Sequence, residues 1–178
     1  NDAPVLNPDS DPSQSGNQPW SLGSIFEDAG SSNATNPGIS IRQFIASNSG
    51  MITDADDQPP TYTDPRGIAV IGFDNTNGTW QYTTNGGTTW TNIAFNADEV
   101  ALVLAADAGN QTRIRFVPNA DWNGTTTITF RAWDQSDGTA NGSKITSFPS
   151  NGTPPNDTSA YSSASATAQL TVTPVNDP

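Results

Sequence analysis

The chain has 178 residues, of which six are basic and eighteen are acidic, so its formal net charge is −12. This charge repels phosphate backbones, which argues against nucleic acid as a partner, and it disfavours self-association, so we expect a monomer. The absence of Cys and His excludes disulfides, thiol nucleophiles, most zinc sites and Ser-His-Asp catalysis. No apolar run is long enough to span a membrane. A hydrophobic fraction of 33% predicts an all-β protein with many turns and long polar loops.

The two ends of the chain carry the same short motif. The chain opens with Asn1-Asp2-Ala3-Pro4 and closes with Asn176-Asp177-Pro178. A motif repeated at both ends indicates one unit of a tandem array, and Pro stiffens a linker between units. We therefore divide the chain into an N-terminal linker (1–6), one β-sandwich domain (7–173) and a C-terminal linker (174–178).

The first part of the domain mixes a polar insertion with two apolar segments. Residues 7–24 are rich in Pro, Ser and Gln, which predicts a loop or irregular insertion. Residues 38–46 begin with alternating apolar positions, and Phe44 and Ile45 then break the alternation. This pattern predicts a strand that ends in a short helical turn. The β-branched run over 67–73 predicts a buried strand.

The clearest local pattern in the sequence is a β-hairpin over 78–94. Trp80 and Tyr82 alternate with polar residues, and Asn85-Gly86 supplies turn residues that tolerate positive φ. Residues 99–106 are compatible with a strand or a helix, because periodicity does not separate the two. Further alternation predicts strands over 112–117, 125–133 and 164–173, with a long polar loop over 135–160.

About eight short strands favour a two-sheet β-sandwich with Greek-key connections. Acidic clusters follow several of these strands. Calcium takes roughly six to eight oxygen ligands, and closely spaced carboxylates repel one another unless a cation is bound. We therefore predict Ca²⁺ binding, with a solvated acidic surface as the alternative. The candidate metal ligands are Glu27, Asp28, Asp54, Asp56, Asp57, Asp134 and Asp137, together with Asn1, Asp2, Asn176 and Asp177 of the linkers.

An ordered series of short motifs runs along most of the chain. These motifs lie at residues 1–4, 27–28, 54–56, 65–70, 78–82, 86–90, 102–107, 113–119, 121–124, 130–134 and 172–177. Through them the chain resembles the cadherin-like and immunoglobulin-like repeats of very large bacterial surface proteins, including adhesins of the repeats-in-toxin class. The resemblance implies that Asp54, Asp56 and Asp134 meet Asn1 and Asp2 at one end of the sandwich. It also implies that Glu27 meets Asn176 and Asp177 at the other end.

The resemblance implies a secreted or bacterial cell-surface protein and a structural function. We expect a calcium-binding extender or spacer repeat whose partners are the neighbouring repeats of the same polypeptide. The alternative is an adhesive module that binds a carbohydrate or another cell-surface ligand, with Trp20 as the candidate for an exposed contact, although packing beneath the loop is preferred for this residue. We expect no enzyme activity, because the acids form short clusters beside linkers and do not stand singly in an aromatic cleft.

Overall fold

The computed structural model describes residues 1–55, 66–149 and 157–176 of the chain. Within these residues two main β-sheets enclose a common hydrophobic core, which confirms the predicted all-β sandwich. A third, two-stranded sheet pairs β1 (Val5–Leu6) with β4 (Ile52–Thr53). The helical content of the described residues is one 3-10 turn over Glu27–Ala29 and one short helix, α1 (Ile41–Ser47).

The larger sheet has six strands, numbered here in chain order. Across the sheet they are β11 (Lys144–Ile145), β8 (Ala101–Ala105), β5 (Gly67–Phe73), β10 (Gly124–Trp133), β12 (Ala166–Thr173) and β2 (Trp20–Phe26). All neighbours are antiparallel except β12 and β2, which are parallel. The smaller sheet contains β3 (Ile39–Ser40), β9 (Arg113–Pro118), β6 (Gly78–Thr83) and β7 (Thr91–Asn92).

Alternating side chains of both sheets form the core. In β10, Ile128, Phe130 and Ala132 are fully buried, while Thr129 and Arg131 between them point to the other face. Phe130 contacts Phe44 of α1 edge-to-face, with ring centroids 5.5 Å apart. Helix α1 begins where Ser40 Oγ accepts a hydrogen bond from Gln43 N at 3.0 Å. The predicted strand with a helical turn over 38–46 is therefore confirmed.

A second, smaller core lies on the outer face of β5 and β8. Phe148 and Tyr161 pack there against Trp133, and their own ring centroids are 5.1 Å apart. The described part of the 135–160 segment is the polar loop that its composition predicts, and it also contains β11 and packs as a cover on the sheet. This cover also explains β8, which is buried at every position and forms a strand because both of its faces are covered.

The 7–24 insertion also ends earlier than its composition indicates. Strand β2 begins at Trp20, whose side chain is only 6% exposed. The Trp20 indole Nε1 donates to Asn7 O at 2.8 Å, so the ring packs beneath the polar segment and is not an exposed contact. At the free edge of β2, the Asn48 amide donates to Ser21 O at 3.0 Å and accepts from Ser21 N at 3.1 Å. This side chain occupies the edge as a further strand would.

The direction of the strands defines two poles of the sandwich. Strands β12 and β2 both run from the end that holds Asp134 to the end that holds Glu27, whereas β10 runs the opposite way. We call the first end the N-terminal pole and the second the C-terminal pole. Both poles contain residues that the sequence predicts as metal ligands.

Replacing Phe130 by Ala tests the shared core. Phe130 is fully buried, so we expect Phe130→Ala to lower the free energy of unfolding by about 3–5 kcal/mol. Phe26→Ala serves as a control, because Phe26 is 64% exposed, and it should change this free energy by less than about 0.5 kcal/mol. Urea unfolding followed by tryptophan fluorescence measures both. Similar effects of the two substitutions would contradict the packing described here.

Candidate functional site

At the N-terminal pole, the first residue of the chain meets the end of β10. Asp134 directly follows β10 and is 5% exposed. Asn1 Nδ2 donates to Asp134 Oδ2 at 3.1 Å and to Ser136 Oγ at 3.2 Å. Ser136 N donates to the second carboxylate oxygen, Asp134 Oδ1, at 2.8 Å. The structure therefore brings together two predicted ligands that are 133 residues apart in the sequence.

The Asn1 amide can offer a cation either its nitrogen or its oxygen. Its hydrogen bond to Asp134 places Nδ2 toward the carboxylate. A hydrogen-bond donor is not a calcium ligand, whereas an amide oxygen is one. Rotation of the amide by 180° would place Oδ1 beside the Asp134 carboxylate, and the two groups would then form a pair of oxygen ligands.

Asp54 lies at the same pole but has a basic neighbour. It directly follows β4. Burial lowers the pKa of the Arg66 guanidinium, and the nearby Asp54 carboxylate opposes that shift. Arg66 Nη1 also donates to Ile52 O at 3.3 Å. A cation at Asp54 would have to share this carboxylate with Arg66, a partner that the sequence analysis missed.

Two further acids border a cavity at the N-terminal pole. Asp2 and Asp157 line this cavity, which has a volume of about 410 Å³. Ala3 N donates to Asp157 O at 2.8 Å, so the N-terminal linker is held against the end of the 135–160 segment. The sequence analysis did not predict Asp157 as a site residue. No pattern in the sequence of the 135–160 segment indicates that residue 157 lies beside the start of the chain.

Asp137 is engaged in the packing of the cover. Its carboxylate accepts hydrogen bonds from Tyr161 Oη at 2.6 Å, Thr139 Oγ1 at 2.7 Å and Trp133 Nε1 at 3.1 Å. Burial acts to raise the pKa of Asp137, but these hydrogen bonds outweigh it and lower the pKa. Burial, followed by the bond to Asp137, raises the pKa of the Tyr161 phenol. Asp137 therefore ties the cover to the sheet.

At the C-terminal pole, Glu27 holds the other linker. Glu27 directly follows β2 and is 8% exposed. Its Oε1 accepts a hydrogen bond from Val175 N at 2.7 Å, and its Oε2 accepts one from Asn123 Nδ2 at 3.1 Å. The Val175 N–H, and then the Asn123 amide, lower the pKa of Glu27. Glu27 is thus bonded to Val175, the residue before the predicted ligand Asn176. Its second partner, Asn123, is not among the residues predicted from the sequence.

The predicted acidic ligands of the described chain are divided between the two poles and the cover. Across residues 1–55, 66–149 and 157–176, no group of three or more acidic side chains is close enough to hold a metal ion. Each pole instead places a carboxylate beside a side-chain amide and a linker. Asp28 and Asn176 are exposed at the C-terminal pole. The remaining predicted ligands, Asp56, Asp57 and Asp177, lie outside the described residues.

The Glu27–Val175 bond gives a pH-dependent signal. The lowered pKa of Glu27 means that the bond is present in neutral solution and is lost only as the pH falls through this lowered value. We expect the Val175 amide proton to move upfield on acidification, with a midpoint below the usual range of Glu. Two-dimensional NMR measures the shift. Glu27→Gln should abolish it, whereas Asp98→Asn, which removes an exposed acid in the 93–100 loop, should not. An unchanged Val175 signal in the wild-type protein would contradict the contact.

The described residues contain no helix with the length and apolar character of a membrane span. Comparison of the whole chain with known proteins gives no match to any family model, curated protein or solved structure. A function for this chain therefore has to be argued from its own residues and their geometry.

Proposed function

We propose that this protein is a calcium-binding structural repeat of a large secreted or cell-surface bacterial adhesin, in which Ca²⁺ stiffens the junctions between repeats. The observation that carries the proposal is the contact between Asn1 and the buried carboxylate of Asp134. A linker residue meets a carboxylate at the end of the central strand. This is the position at which a cation would fix the linker to the domain.

The charge of Asp134 supports a cation at this position. Its hydrogen-bond donors are the Asn1 amide and the Ser136 N–H, and both are neutral. Buried charged groups in proteins are usually paired with an opposite charge or coordinate a metal. Asp2 and Asp157 add negative charge at the same pole. A divalent cation would compensate this charge and would use oxygen ligands of the type that calcium prefers.

The C-terminal pole supports the same function from the other side. Glu27 and Asn123 repeat the combination of a carboxylate with an amide, and Glu27 again binds a linker through Val175 N. Each Glu27 oxygen has a second lone pair available for a cation. In a tandem array the C-terminal pole of one copy faces the N-terminal pole of the next. Both sets of ligands would then contribute to one junction.

Calcium would act by binding the ordered linker in preference to the disordered one. A ligand at a hundredfold excess over its dissociation constant stabilises the binding state by about 2.7 kcal/mol. Extracellular modules often bind calcium with dissociation constants of about 0.1–1 mM. The linkers would accordingly be flexible at low calcium inside the cell and stiff after export.

A second candidate function is ligand binding by the cover. The cover carries a shallow depression of about 350 Å³ whose lining includes the polar residues Thr139, Lys144 and Ser147. Hydroxyl and ammonium groups in a surface depression are suitable partners for a sugar. A glycan array probed with calcium and with a chelator tests this function. Saturable binding that is lost in Lys144→Ala would favour an adhesive module over a spacer.

Calcium should raise the melting temperature of the protein. A stabilisation of about 2.7 kcal/mol corresponds to an increase of about 5–11 °C for a domain of this size. Asp134→Asn keeps the shape of the side chain but removes its charge, so we expect it to abolish most of the increase. Differential scanning calorimetry in millimolar Ca²⁺ and in excess chelator measures the effect.

Asp98→Asn is the matched control for this experiment. It removes the same charge from an exposed residue of the 93–100 loop that is not among the predicted ligands, and it should retain the full calcium effect. Magnesium at the same concentration should stabilise the protein less, because Mg²⁺ demands a rigid octahedral site and gives up its water reluctantly. Identical melting curves in calcium and in chelator would refute the proposed function.

A further inference from the structure

The C-terminal pole exposes a pair of apolar side chains. Phe26, the last residue of β2, is 64% exposed, which is the largest value among the large hydrophobic residues of the described chain. Val175 is 37% exposed and is bonded through its N–H to Glu27, the neighbour of Phe26. Two of the four exposed large hydrophobic residues of the described chain thus lie together at this pole. An aromatic ring in this position is available to a partner.

The N-terminal pole carries an apolar cavity. Its volume is about 410 Å³, and its wall is formed by the linker residues Ala3, Pro4, Val5 and Leu6 together with Ala164. Val5, at the rim, is itself 61% exposed. An apolar cavity of about 150 Å³ is sufficient to accept benzene. The N-terminal cavity is therefore large enough for the ring of a phenylalanine.

The positions of the two chain ends determine how Phe26 and the N-terminal cavity would be placed in a tandem polypeptide. Asn1 is bonded to Asp134 at the N-terminal pole, and Val175 is bonded to Glu27 at the C-terminal pole. In a tandem polypeptide the chain leaves one copy beside Phe26 and enters the next copy beside the N-terminal cavity. We propose that Phe26 of one copy docks in the N-terminal cavity of the copy that follows it. This inference rests on the proposed function, because it requires copies in tandem.

The contact is heterologous, since it joins two different surfaces of identical copies, and it repeats along the array. Isolated copies with a charge of −12 repel one another. A short linker, however, holds consecutive copies at an effective concentration in the millimolar range. Asp2 and Asp157 at the cavity would oppose a second acidic pole until calcium neutralises them. The docking is therefore calcium-dependent.

Disulfide trapping tests the contact, because the chain has no cysteine of its own. Ser24→Cys places a thiol two residues before Phe26 and on the same side of the strand. Ser163→Cys places one at the exposed edge of the N-terminal cavity. The two single-cysteine proteins are mixed at millimolar concentration in calcium under mild oxidation. We expect the mixed dimer, identified by mass spectrometry, to form at least tenfold faster than either self-dimer.

Two further variants assign the effect to the ring. Phe26→Ser in the Ser24→Cys protein should abolish the preference for the mixed dimer. Val100→Ser is the control, because Val100 is an exposed apolar residue elsewhere, at 36% exposure, and it should leave the preference unchanged. Melting curves that match the parent establish that each variant is folded. A statistical mixture of dimers, or a preference that survives Phe26→Ser, would overturn the docking.

The same samples separate the docking from the calcium function. If calcium raises the melting temperature but the mixed dimer is not preferred, the docking is refuted and the proposed function stands. If the mixed dimer is preferred equally in calcium and in chelator, the docking stands and its dependence on calcium is refuted.

Discussion

Strand β10 sets the position of the two poles relative to each other, and the other features of the molecule depend on this arrangement. It is paired with β5 along one edge and with β12 along the other, so both of its edges lie inside the sheet. Its ten residues, at about 3.3–3.4 Å each, span about 33 Å. Asn123 precedes the strand at the Glu27 end, and Asp134 follows it at the opposite end. A rigid strand thus positions a polar contact at each pole.

The register of β10 is enforced by its side chains. Ile128, Phe130 and Ala132 face the core, whereas Thr127, Thr129 and Arg131 face the other side of the sheet. A shift of one residue would exchange the two sets and bury hydroxyl and guanidinium groups in place of apolar side chains. The pattern that makes β10 predictable from sequence is therefore the same pattern that holds Asp134 at the end of the strand.

Most of the strands could be predicted because their surroundings leave a pattern in the sequence. The buried run over 67–73 has the same bounds in the structure, and β9, β10 and β12 differ from their predicted ranges by one or two residues. The sequence over 99–106 is compatible with both strand and helix, since a segment covered on both faces loses the alternation of a half-exposed strand. Its conformation depends on neighbours that are distant in the sequence.

The segments that the sequence could not predict are held in place by single side chains that lie within polar sequence. Phe148 and Tyr161 are the large apolar groups that attach the cover, and single anchors give no periodicity. Arg66, Asn123 and Asp157 reach the poles only after the chain has folded, so nothing near them in the sequence indicates their partners. The contact of Asn1 with Asp134 could be predicted, because the resemblance to tandem repeats implies that a linker meets the end of a strand.

The parallel pairing of β2 and β12 has a mechanical consequence. Strand β2 begins at the N-terminal pole, β12 ends at the C-terminal pole, and the two are direct neighbours in the larger sheet. Once β1 has separated from β4, traction applied at the two ends of the chain would pull β2 and β12 along their length in opposite directions. Their mutual hydrogen bonds would then be strained in shear, all at the same time, and could not be opened one after another. The domain would therefore resist extension along the line between its two poles even though it is small.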